Sequence, residues 1–507
     1  MFEKILVANR GEIAVRVIRT CRQLGVKVFA IYSDADRGAL HVRLADEAFR
    51  VGPSPPAESY LNIERIIEIA EEAEVEAIHP GYGFRSEHWD FAAACEGVGI
   101  EFIGPSSKTL SITGNKVDCK KIARRAGVPV IPGTDDTIDD PEEGVRAARE
   151  IGYPVMLKSA FGGGGRGIRE ARNGDELRDS FRRAEKEAKG AFGKTGMYVE
   201  KVLRPARHIE FQILSDGKGK TIHLGERECS IQWRHQKLVE ITPSPVVDDE
   251  VRKEVGGLAV AVARAVNYRN AGTVEFLRDD RGDFWFIEVN SRLQVEHPVT
   301  EVVTGVDLVE EQLRIASGEG TGFSQGKVRR RGAAIQCRIN AEDPASGFTP
   351  SVGRIGHLTF PGGPGIRVDT ALSRDFGVSE FYDSLLAKVI AWGRNLEEAR
   401  RRVLSALAEF EITGIKTNIA FQRYILAHRS FLEWELATDF LNRNRMVESF
   451  AEASRREGEA ALEEGAAVAA AILAQGLHKT VTFQSDPDRG RSYSGQGSGG
   501  ARFYDAV

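Results

Sequence analysis

Apolar runs alternate with amphipathic segments through the first hundred residues. Lys4–Ala8 is a short, continuous apolar run, and a helical pattern of apolar positions follows it as far as Gly25. A second apolar run, Val26–Tyr32, comes directly after that glycine. Further on, residues 62–73 have helical periodicity, and Ala77–His79 is typical of a short strand. Strand, helix and strand joined by short connections predict a parallel α/β sheet at the amino terminus.

A second group of elements follows. The pattern predicts a helix over 115–126 with Lys116 near its start. Gly127–Gly133, rich in glycine and proline, interrupts the pattern and favours a change of domain. A helix over Glu142–Ile151 then leads into a strand that carries Lys158 near its end.

A glycine-rich run begins directly after that strand. It contains G-x-G-x-x-G at Gly162, Gly164 and Gly167, the pattern of a dinucleotide-binding fold. Such a loop should open a helix at once, whereas Ile168–Ala171 has an extended pattern, so we reject that interpretation. A hairpin loop whose backbone N–H groups fold over phosphates fits better, because only glycine lets the chain approach so closely. A plain flexible linker is the alternative.

Two β-prone runs near the middle of the chain predict a hairpin. Thr273–Leu277 and Phe284–Val289 flank a polar loop that contains aspartate and glycine. We expect its turn to be centred between Asp280 and Arg281. The second run continues into acids and amides, which a buried strand should not carry.

That turn would place Glu275 opposite Phe286. Because side chains alternate along a strand, Glu275, Phe286, Glu288 and Asn290 would share one face, with the two glutamates as diagonal neighbours. Two carboxylates so close need a cation between them, and oxygen ligands suit a hard divalent ion such as Mg²⁺. An ordinary strand pair with solvated acids on an outer face is the alternative.

Two further stretches carry charged groups in unexpected surroundings. Residues 226–237 combine acidic, basic, amide and aromatic side chains without low complexity, which favours a binding surface over a merely solvated face, although the latter stays open. In the strand predicted over 333–339, Arg338 stands between Cys337 and Ile339. Burying an arginine is costly unless it meets an anion, so we expect an anion beside Arg338.

Length and composition limit the class of protein. The chain has 507 residues, which predicts about three domains. A formal net charge of −5 with interspersed signs is typical of a globular enzyme and does not indicate nucleic acid binding. The amino terminus lacks a secretory pattern, and no apolar run is long enough for a membrane span.

Cysteine usage and the carboxy-terminal composition add two expectations. The cysteines are Cys21, Cys95, Cys119, Cys229 and Cys337. They form no C-x-x-C or His–Cys cluster, so we predict neither disulfides nor a zinc site, and a reducing cytoplasm fits. Beyond about Glu452 the sequence becomes rich in alanine, glutamate and glycine, which predicts a helical appendage followed by a disordered tail.

Five motifs are spread along the chain: Ala8–Ala14, His79–Phe84, Gly162–Gly167, Arg234–Lys237 and Glu288–Thr300. Together they resemble biotin carboxylase, a family of ATP-grasp ligases. The resemblance implies a multidomain α/β and α+β fold with an amino-terminal Rossmann-like (pre-ATP-grasp) domain, an ATP-grasp lid and a carboxy-terminal biotin carboxylase domain. The implied bounds are 1–113 for the amino-terminal domain, 114–130 for a helical connection, 131–203 for the lid subdomain, 204–451 for the ATP-grasp body with the carboxy-terminal domain, and 452–507 for the tail.

The resemblance also implies a reaction and its partners. In that reaction the cleavage of MgATP drives the carboxylation of biotin by bicarbonate, via carboxyphosphate. The products are ADP, phosphate and carboxybiotin, and Mn²⁺ is an alternative to Mg²⁺. The chain contains no Met-Lys-Met-like biotinylation site, so we expect biotin on a separate carrier protein or domain. A partner carboxyltransferase and a homodimer are further expectations, and neither nucleic acid nor membrane is expected as a partner.

Individual site residues are implied by the same resemblance. The nucleotide and substrate residues are Lys116, Lys158, Gly162, Gly163, Gly164, Gly165, Gly167, Glu200, Lys201, Leu203, His208, Gln232, His235, Leu277, Gln294 and Val295. The metal ligands are Glu275, Glu288 and Asn290. The catalytic residues are Glu296 as base, Arg292 on bicarbonate, Arg338 on biotin, and His235 and Lys237 by the phosphoryl group.

Some positions depart from the usual pattern of the family. Arg85 and His88 stand where leucine and asparagine are common, and Trp233 replaces a usual basic residue. Ile241-Thr242 replaces Glu-Ala, and Pro364 lies in a glycine-rich loop. Two other functions stay open: an ATP-grasp ligase that activates a carboxylate for amide formation, and a non-catalytic protein that retains the fold in a regulatory or scaffolding role. Arg292, Gln294, Glu296 and Arg338 argue against the first.

Overall fold

The computed structural model of the chain describes residues 1–160, 168–192, 196–374, 376–456, 459 and 460. The predicted loop Gly162–Gly167 and most of the predicted tail therefore lie outside the described residues. The chain forms two compact units, Met1–Ala451 and Glu452–Val507. In the second unit the described residues are helical, and Arg455 Nη1 lies 3.2 Å from Glu459 Oε1.

The amino-terminal residues form a five-stranded parallel sheet with the order β3-β2-β1-β4-β5. Its strands are β1 Lys4–Val7, β2 Lys27–Ser33, β3 Glu47–Gly52, β4 Ala77–His79 and β5 Glu101–Phe102. The helices are α1 Gly11–Gln23, α2 Leu40–Leu44, α3 Ile63–Glu72, α4 Trp89–Gly97 and α5 Ser107–Thr113, with 3₁₀ turns at Asp34–Asp36 and Pro56–Glu58. Ile5 and Leu6 are fully buried, because helices cover both faces of the sheet. The predicted parallel α/β arrangement is confirmed.

The next helix, α6 Lys116–Arg125, begins where the sequence predicted. Asn115 caps it, because the Asn115 side-chain oxygen accepts hydrogen bonds from the N–H groups of Val117 and Asp118 at 3.1 and 3.3 Å. The cap fixes Lys116 in the first turn of the helix.

A three-stranded antiparallel sheet with the order β7-β6-β8 follows. Its elements are α7 Pro141–Ile151, β6 Val155–Ser159, β7 Arg169–Ala171, α8 Gly174–Phe192 and β8 Met197–Lys201. Strands β6 and β7 pair antiparallel, with Leu157 opposite Arg169, so the first described element after β6 is a strand of the same sheet. The rejection of the dinucleotide fold is therefore confirmed.

An eight-stranded antiparallel sheet is the largest element of the molecule. Its order is β13-β12-β9-β10-β11-β14-β21-β19. The strands of this sheet are β9 Arg207–Asp216, β10 Thr221–Trp233, β11 Gln236–Thr242, β12 Arg269–Arg278, β13 Phe284–Asn290, β14 Ala333–Asn340, β19 Ile366–Thr370 and β21 Leu385–Gly393. Six short strands form separate pairs: β15 Glu342–Asp343 with β16 Thr349–Pro350, β17 Gly353–Arg354 with β20 Gly377–Val378, and β18 Leu358–Thr359 with β22 Glu411–Ile412. The predicted hairpin of β12 and β13 and the predicted strand carrying Arg338 are both confirmed.

Helices pack on this sheet. They are α9 Asp249–Ala265, α10 His297–Thr304, α11 Leu308–Ala316, α12 Leu396–Glu409, α13 Ile419–Ala427, α14 Arg429–Leu432 and α15 Phe440–Arg443, with 3₁₀ turns at Gln325–Lys327 and Pro344–Ser346. Helix α9 buries Val255, Ala259 and Val262 against one half of the sheet. Helices α12 and α13 cover the other half through residues such as Val403 and Phe421. Two apolar cores therefore fix the sheet from which most of the site residues project.

Two observations bear on the environment of the chain. Within the described part of the chain, no helix combines the length and the apolar character that a bilayer span requires. All five cysteines are buried free thiols.

Candidate active site

A cleft of about 790 Å³ is lined by residues of both the three-stranded sheet and the eight-stranded sheet. Most of the predicted site residues line it: Lys116, Lys158, Lys201, Leu203, His208, Gln232, His235, Lys237, Glu275, Leu277, Glu288, Asn290, Arg292, Gln294, Val295 and Arg338. Glu200 and Glu296 are 3% and 0% exposed and lie behind the residues that line the cleft. Each forms ion pairs with basic side chains that do line it. The predicted glycines lie outside the described residues.

The register of the β12–β13 hairpin differs from the prediction. Glu275 lies directly opposite Glu288, whereas Phe286 pairs with Phe276. The pairing shifts between these two positions, so Ile287 is left without a partner as a β-bulge. We predicted Glu275 opposite Phe286, diagonal to Glu288 and on the same face as Phe286; this was wrong. The bulge changes the register, and it lets both Ile287 and Glu288 line the cleft while Phe286 enters the core.

Lys237 is the centre of the polar network. Its Nζ lies 2.5 Å from Glu210, 2.8 Å from Glu275 and 2.7 Å from Glu296. Burial alone would lower the pKa of Lys237, but the three carboxylates raise that pKa well above its usual value. Lys237 is therefore a permanent cation and cannot act as a base.

The same arrangement keeps Glu296 ionised. Burial favours the neutral acid, yet Lys237, and after it Arg338, hold the pKa of Glu296 below its usual value. Arg338 Nη2 lies 3.0 Å from Glu296 Oε2, and Arg338 Nε lies 2.5 Å from Glu240 Oε1. The anion that we expected beside Arg338 is thus a pair of buried carboxylates.

Arg292 is held by three neighbours. Its guanidinium donates to Glu87 Oε2 at 2.8 Å, Gln294 Oε1 at 2.9 Å and Asn290 Oδ1 at 3.2 Å. The side chain is fixed by these bonds and still borders the cleft. The sequence reasoning missed Glu87, although it follows shortly after the His79–Phe84 motif.

The two lysines expected on the phosphates each meet a glutamate. Lys116 Nζ lies 2.5 Å from Glu288 Oε2. Lys158 Nζ lies 2.6 Å from one oxygen of Glu200, and Lys120 Nζ lies 2.6 Å from the other. Lys120 was missed, although it stands four residues after Lys116 and hence on the same face of α6. Among the described residues, Glu200 thus balances two cations, and of these two Lys158 lines the cleft.

A buried arginine supports the network from behind. Arg227 is fully buried and donates to Glu210 at 2.5 Å, Gln212 at 2.7 Å and Thr273 at 2.9 Å. It was also missed as a single residue, although residues 226–237 were singled out as a group. By binding Glu210, Arg227 orients the carboxylate that holds Lys237.

The histidines of the site differ in their surroundings. His208 Nε2 lies 3.0 Å from Glu275, and the Gln232 amide lies 3.0 Å from His208 Nδ1. Burial and the charge of Lys158 lower the pKa of His235, so its imidazole is neutral near pH 7.

The described residues offer potential ligands for a cation in three places. One is formed by Glu210, Cys229 and Glu296, where Lys237 already pairs with both carboxylates. Atoms of His208, Glu210 and Glu275 lie within 4.8 Å of one another, but the ammonium of Lys237 already supplies positive charge there. The cleft face of the hairpin offers Glu275, Glu288 and Asn290, and the buried Asn290 Nδ2 has no hydrogen-bond partner among the described residues. Carboxylate and amide oxygens on adjacent strands fit a hard divalent ion.

Most departures from the family pattern lie away from the cleft. Ile241 is buried in the core, and the Thr242 hydroxyl donates to the Glu226 carbonyl at 2.7 Å. Arg85 donates to the Leu61 carbonyl, at 2.8 and 3.0 Å, and nothing in the structure explains Pro364. Of the departures named above, Trp233 lines the cleft.

Family profiles match the chain in three consecutive segments. Residues 1–110 match the biotin carboxylase N-terminal domain, residues 115–321 the ATP-binding domain of the carbamoyl-phosphate synthase L chain, and residues 336–443 the biotin carboxylase C-terminal domain.

Similar proteins agree with these profiles. A pyruvate carboxylase subunit of Methanothermobacter thermautotrophicus is 50% identical over 88% of this chain and 90% of its own length. Biotin carboxylase 1 of Bacillus subtilis is 49% identical over 87% of this chain and 98% of its own. The biotin carboxylase domain dimer of Hydrogenobacter thermophilus 2-oxoglutarate carboxylase, solved with MgADP, ADP and bicarbonate, superimposes with a TM-score of 0.86 at 49% identity, covering 88% of this chain and 99% of that one. The chain therefore belongs to the biotin carboxylase family of ATP-grasp ligases.

Proposed function

We propose that the cleft carboxylates biotin on a separate carrier, using bicarbonate and MgATP, via carboxyphosphate. The observation that carries this proposal is the placement of Glu296 between two permanent cations, Lys237 at 2.7 Å and Arg338 at 3.0 Å. A buried carboxylate that stays ionised can accept a proton, and the flanking cations can stabilise anions that form beside it.

The nucleotide is assigned to the part of the cleft nearest the three-stranded sheet. Lys116 and Lys158 carry the charge that phosphates require, and Leu203 and Leu277 offer apolar contacts for a base. Lys201 lies in the same wall. In this assignment Glu200 sets the position of Lys158 from behind, at 2.6 Å.

A divalent ion is assigned to Glu275, Glu288 and Asn290. Mg²⁺ or Mn²⁺ bound there would neutralise charge on the phosphates of the nucleotide. The direct pairing of Glu275 with Glu288 supports this assignment, because the two carboxylates project from neighbouring strands into the cleft.

Bicarbonate and biotin are assigned to the opposite side of Lys237. Arg292, Gln294 and the backbone of Val295 would hold bicarbonate beside Glu296, which removes its proton. Arg338, fixed by Glu240, would steady the anionic form of the ureido group of biotin. The residues around the reacting groups therefore bind, orient and deprotonate, while phosphoryl transfer depends on positioning.

Partners follow from the names of similar proteins. The relatives from Methanothermobacter thermautotrophicus and Hydrogenobacter thermophilus are named as one subunit of pyruvate carboxylase and the small subunit of 2-oxoglutarate carboxylase, and the Hydrogenobacter thermophilus domain is described as a dimer. We assign to this chain a biotin carrier, a carboxyltransferase on other chains and a homodimeric state. The five free cysteines support a cytoplasmic location.

Purified protein tests the proposal directly. We expect ADP release that requires bicarbonate and rises when free biotin is added. A folded protein without that activity would overturn the catalytic assignment and favour a non-catalytic role. ADP release driven by an amine in place of biotin would favour an amide-forming ligase instead.

A further inference from the structure

The hairpin that carries His235 and Lys237 ends in a turn that suits its sequence poorly. Strands β10 and β11 pair as far as Trp233 and Gln236, so Arg234 and His235 alone form the connection. Both residues have positive φ, 50° and 66°. Two-residue turns of this kind favour asparagine and glycine, because a Cβ atom disfavours positive φ. Other residues persist in such a conformation only where the surroundings hold them.

In the described part of the chain, no other side chain holds the imidazole of His235. Among the described residues it makes no hydrogen bond and no ion pair. Its position in the cleft wall therefore depends on the backbone of the turn.

Trp233, directly before the turn, packs against the core of the protein. Its ring stacks on Phe348, with centroids 5.0 Å apart and planes inclined by 22°. Phe348 in turn meets the edge of the fully buried Phe421 at 5.3 Å. The guanidinium of Arg234 lies 5.3 Å from the centre of the Trp233 ring, so the first turn residue also rests on the indole. The strained turn is thereby attached to the core under α12 and α13.

We propose that Trp233 is a positioning residue that sets the place of His235 in the cleft through this stack on Phe348. The inference rests on the proposed function and on the role that the family resemblance implies for His235, which is to act by the phosphoryl group. Because Trp233 stands where the family usually has a basic residue, this chain holds the turn by packing.

A double-mutant cycle in the full chain tests the proposal. Trp233→Ala should lower kcat by about 10- to 100-fold, since a displacement of about 1 Å in a catalytic group costs that much. Trp233→Phe keeps an aromatic ring on Phe348, so its kcat should stay within about threefold of that of the parent. In a His235→Ala background, Trp233→Ala should lower kcat by less than a further factor of about three, because the group that Trp233 positions is already absent.

Trp434 provides a matched control. It also has positive φ, 56°, and its ring packs on the same core, 5.4 Å from Phe431, but it does not line the cleft. Trp434→Ala should lower thermal stability and leave kcat within about threefold of the parent. An equal loss of kcat in both tryptophan variants would overturn the proposal, because it would indicate general loosening of the core.

A second readout does not depend on activity. In protein labelled at histidine, the imidazole signal that disappears in His235→Ala should shift or broaden in Trp233→Ala and stay in place in Trp434→Ala. An unchanged signal in Trp233→Ala overturns the inference whether or not the parent is active. Absence of activity in the parent, with the expected shift of that signal, overturns the proposed function alone. Weaker ADP binding in Trp233→Ala that persists without His235 would mean that Trp233 contacts the nucleotide itself, and it too overturns the proposal.

Discussion

Replacing Glu296 by glutamine tests the central assignment, because it removes one charge and almost no volume. Four carboxylates, those of Glu210, Glu240, Glu275 and Glu296, face Arg227, Lys237 and Arg338 in this region. After the substitution three carboxylates still face the three cations. Lys237 keeps Glu210 at 2.5 Å and Glu275 at 2.8 Å, and Arg338 keeps Glu240 at 2.5 Å. No buried cation is left unpaired, so we expect the variant to fold.

The loss of activity should be large and confined to the chemical step. A positioned general base contributes about 10²- to 10⁴-fold, which corresponds to about 2.7–5.4 kcal/mol of transition-state stabilisation. We therefore expect Glu296→Gln to lower kcat for biotin carboxylation by that factor. The affinity for ADP should stay within about threefold, because the nucleotide residues keep their partners.

Carboxybiotin formation and calorimetric ADP binding give the two readouts. Glu240→Gln is the matched control, because Glu240 is also fully buried and also binds Arg338 but, among the described residues, forms no ion pair with Lys237. The factor by which Glu240→Gln lowers kcat should be at least about tenfold smaller than the factor for Glu296→Gln. Glu296→Gln with more than a tenth of the parent rate, or a control that loses as much, would refute the assignment of Glu296 as the base.

Three further predictions concern the nucleotide side and acid stability. Glu288→Gln should raise the Mg²⁺ concentration for half-maximal ATPase by at least about tenfold, and an unchanged value would exclude Glu288 as a ligand. Lys120→Met should raise the KM for ATP about tenfold. Glu200, 2.6 Å from Lys158, would then attract Lys158 alone and compete with the phosphates for its charge. Equal KM values in the variant and the parent would contradict this. Burial lowers the pKa of His79 from 6.5 to about 4, and its Nδ1 accepts the Gly81 N–H at 3.0 Å, so the folded state holds the neutral imidazole. Its contribution to the free energy of unfolding is complete above pH 6.5 and is lost as the pH falls towards 4. By pH 5 the loss is about 2 kcal/mol. Between pH 7 and 5 the unfolding midpoint of His79→Gln should therefore fall less than that of the parent.

Elements with a local physical cause could be read from the sequence. The buried strand at Lys4–Val7 follows from a continuous apolar run, and the start of α6 at Lys116 follows from the capping residue Asn115. The hairpin at Glu275 was also predictable, because its strands and polar loop are adjacent in the chain. Its register was not, since the unpaired Ile287 depends on packing beneath the sheet and leaves no sequence signal.

The partners of Lys237 show why the rest of the site required the structure. Its three carboxylates stand 27, 38 and 59 residues away in the sequence, on strands β9 and β12 and directly before helix α10. A resemblance can name such residues, but only the geometry shows that one ammonium binds all three. Because they share that cation, the pKa of each carboxylate depends on the others, so removing one partner changes the charge state of its neighbours. The proton affinity of Glu296 is thus a property of the whole cluster, and substitutions at Glu210 or Glu275 should alter it without touching Glu296.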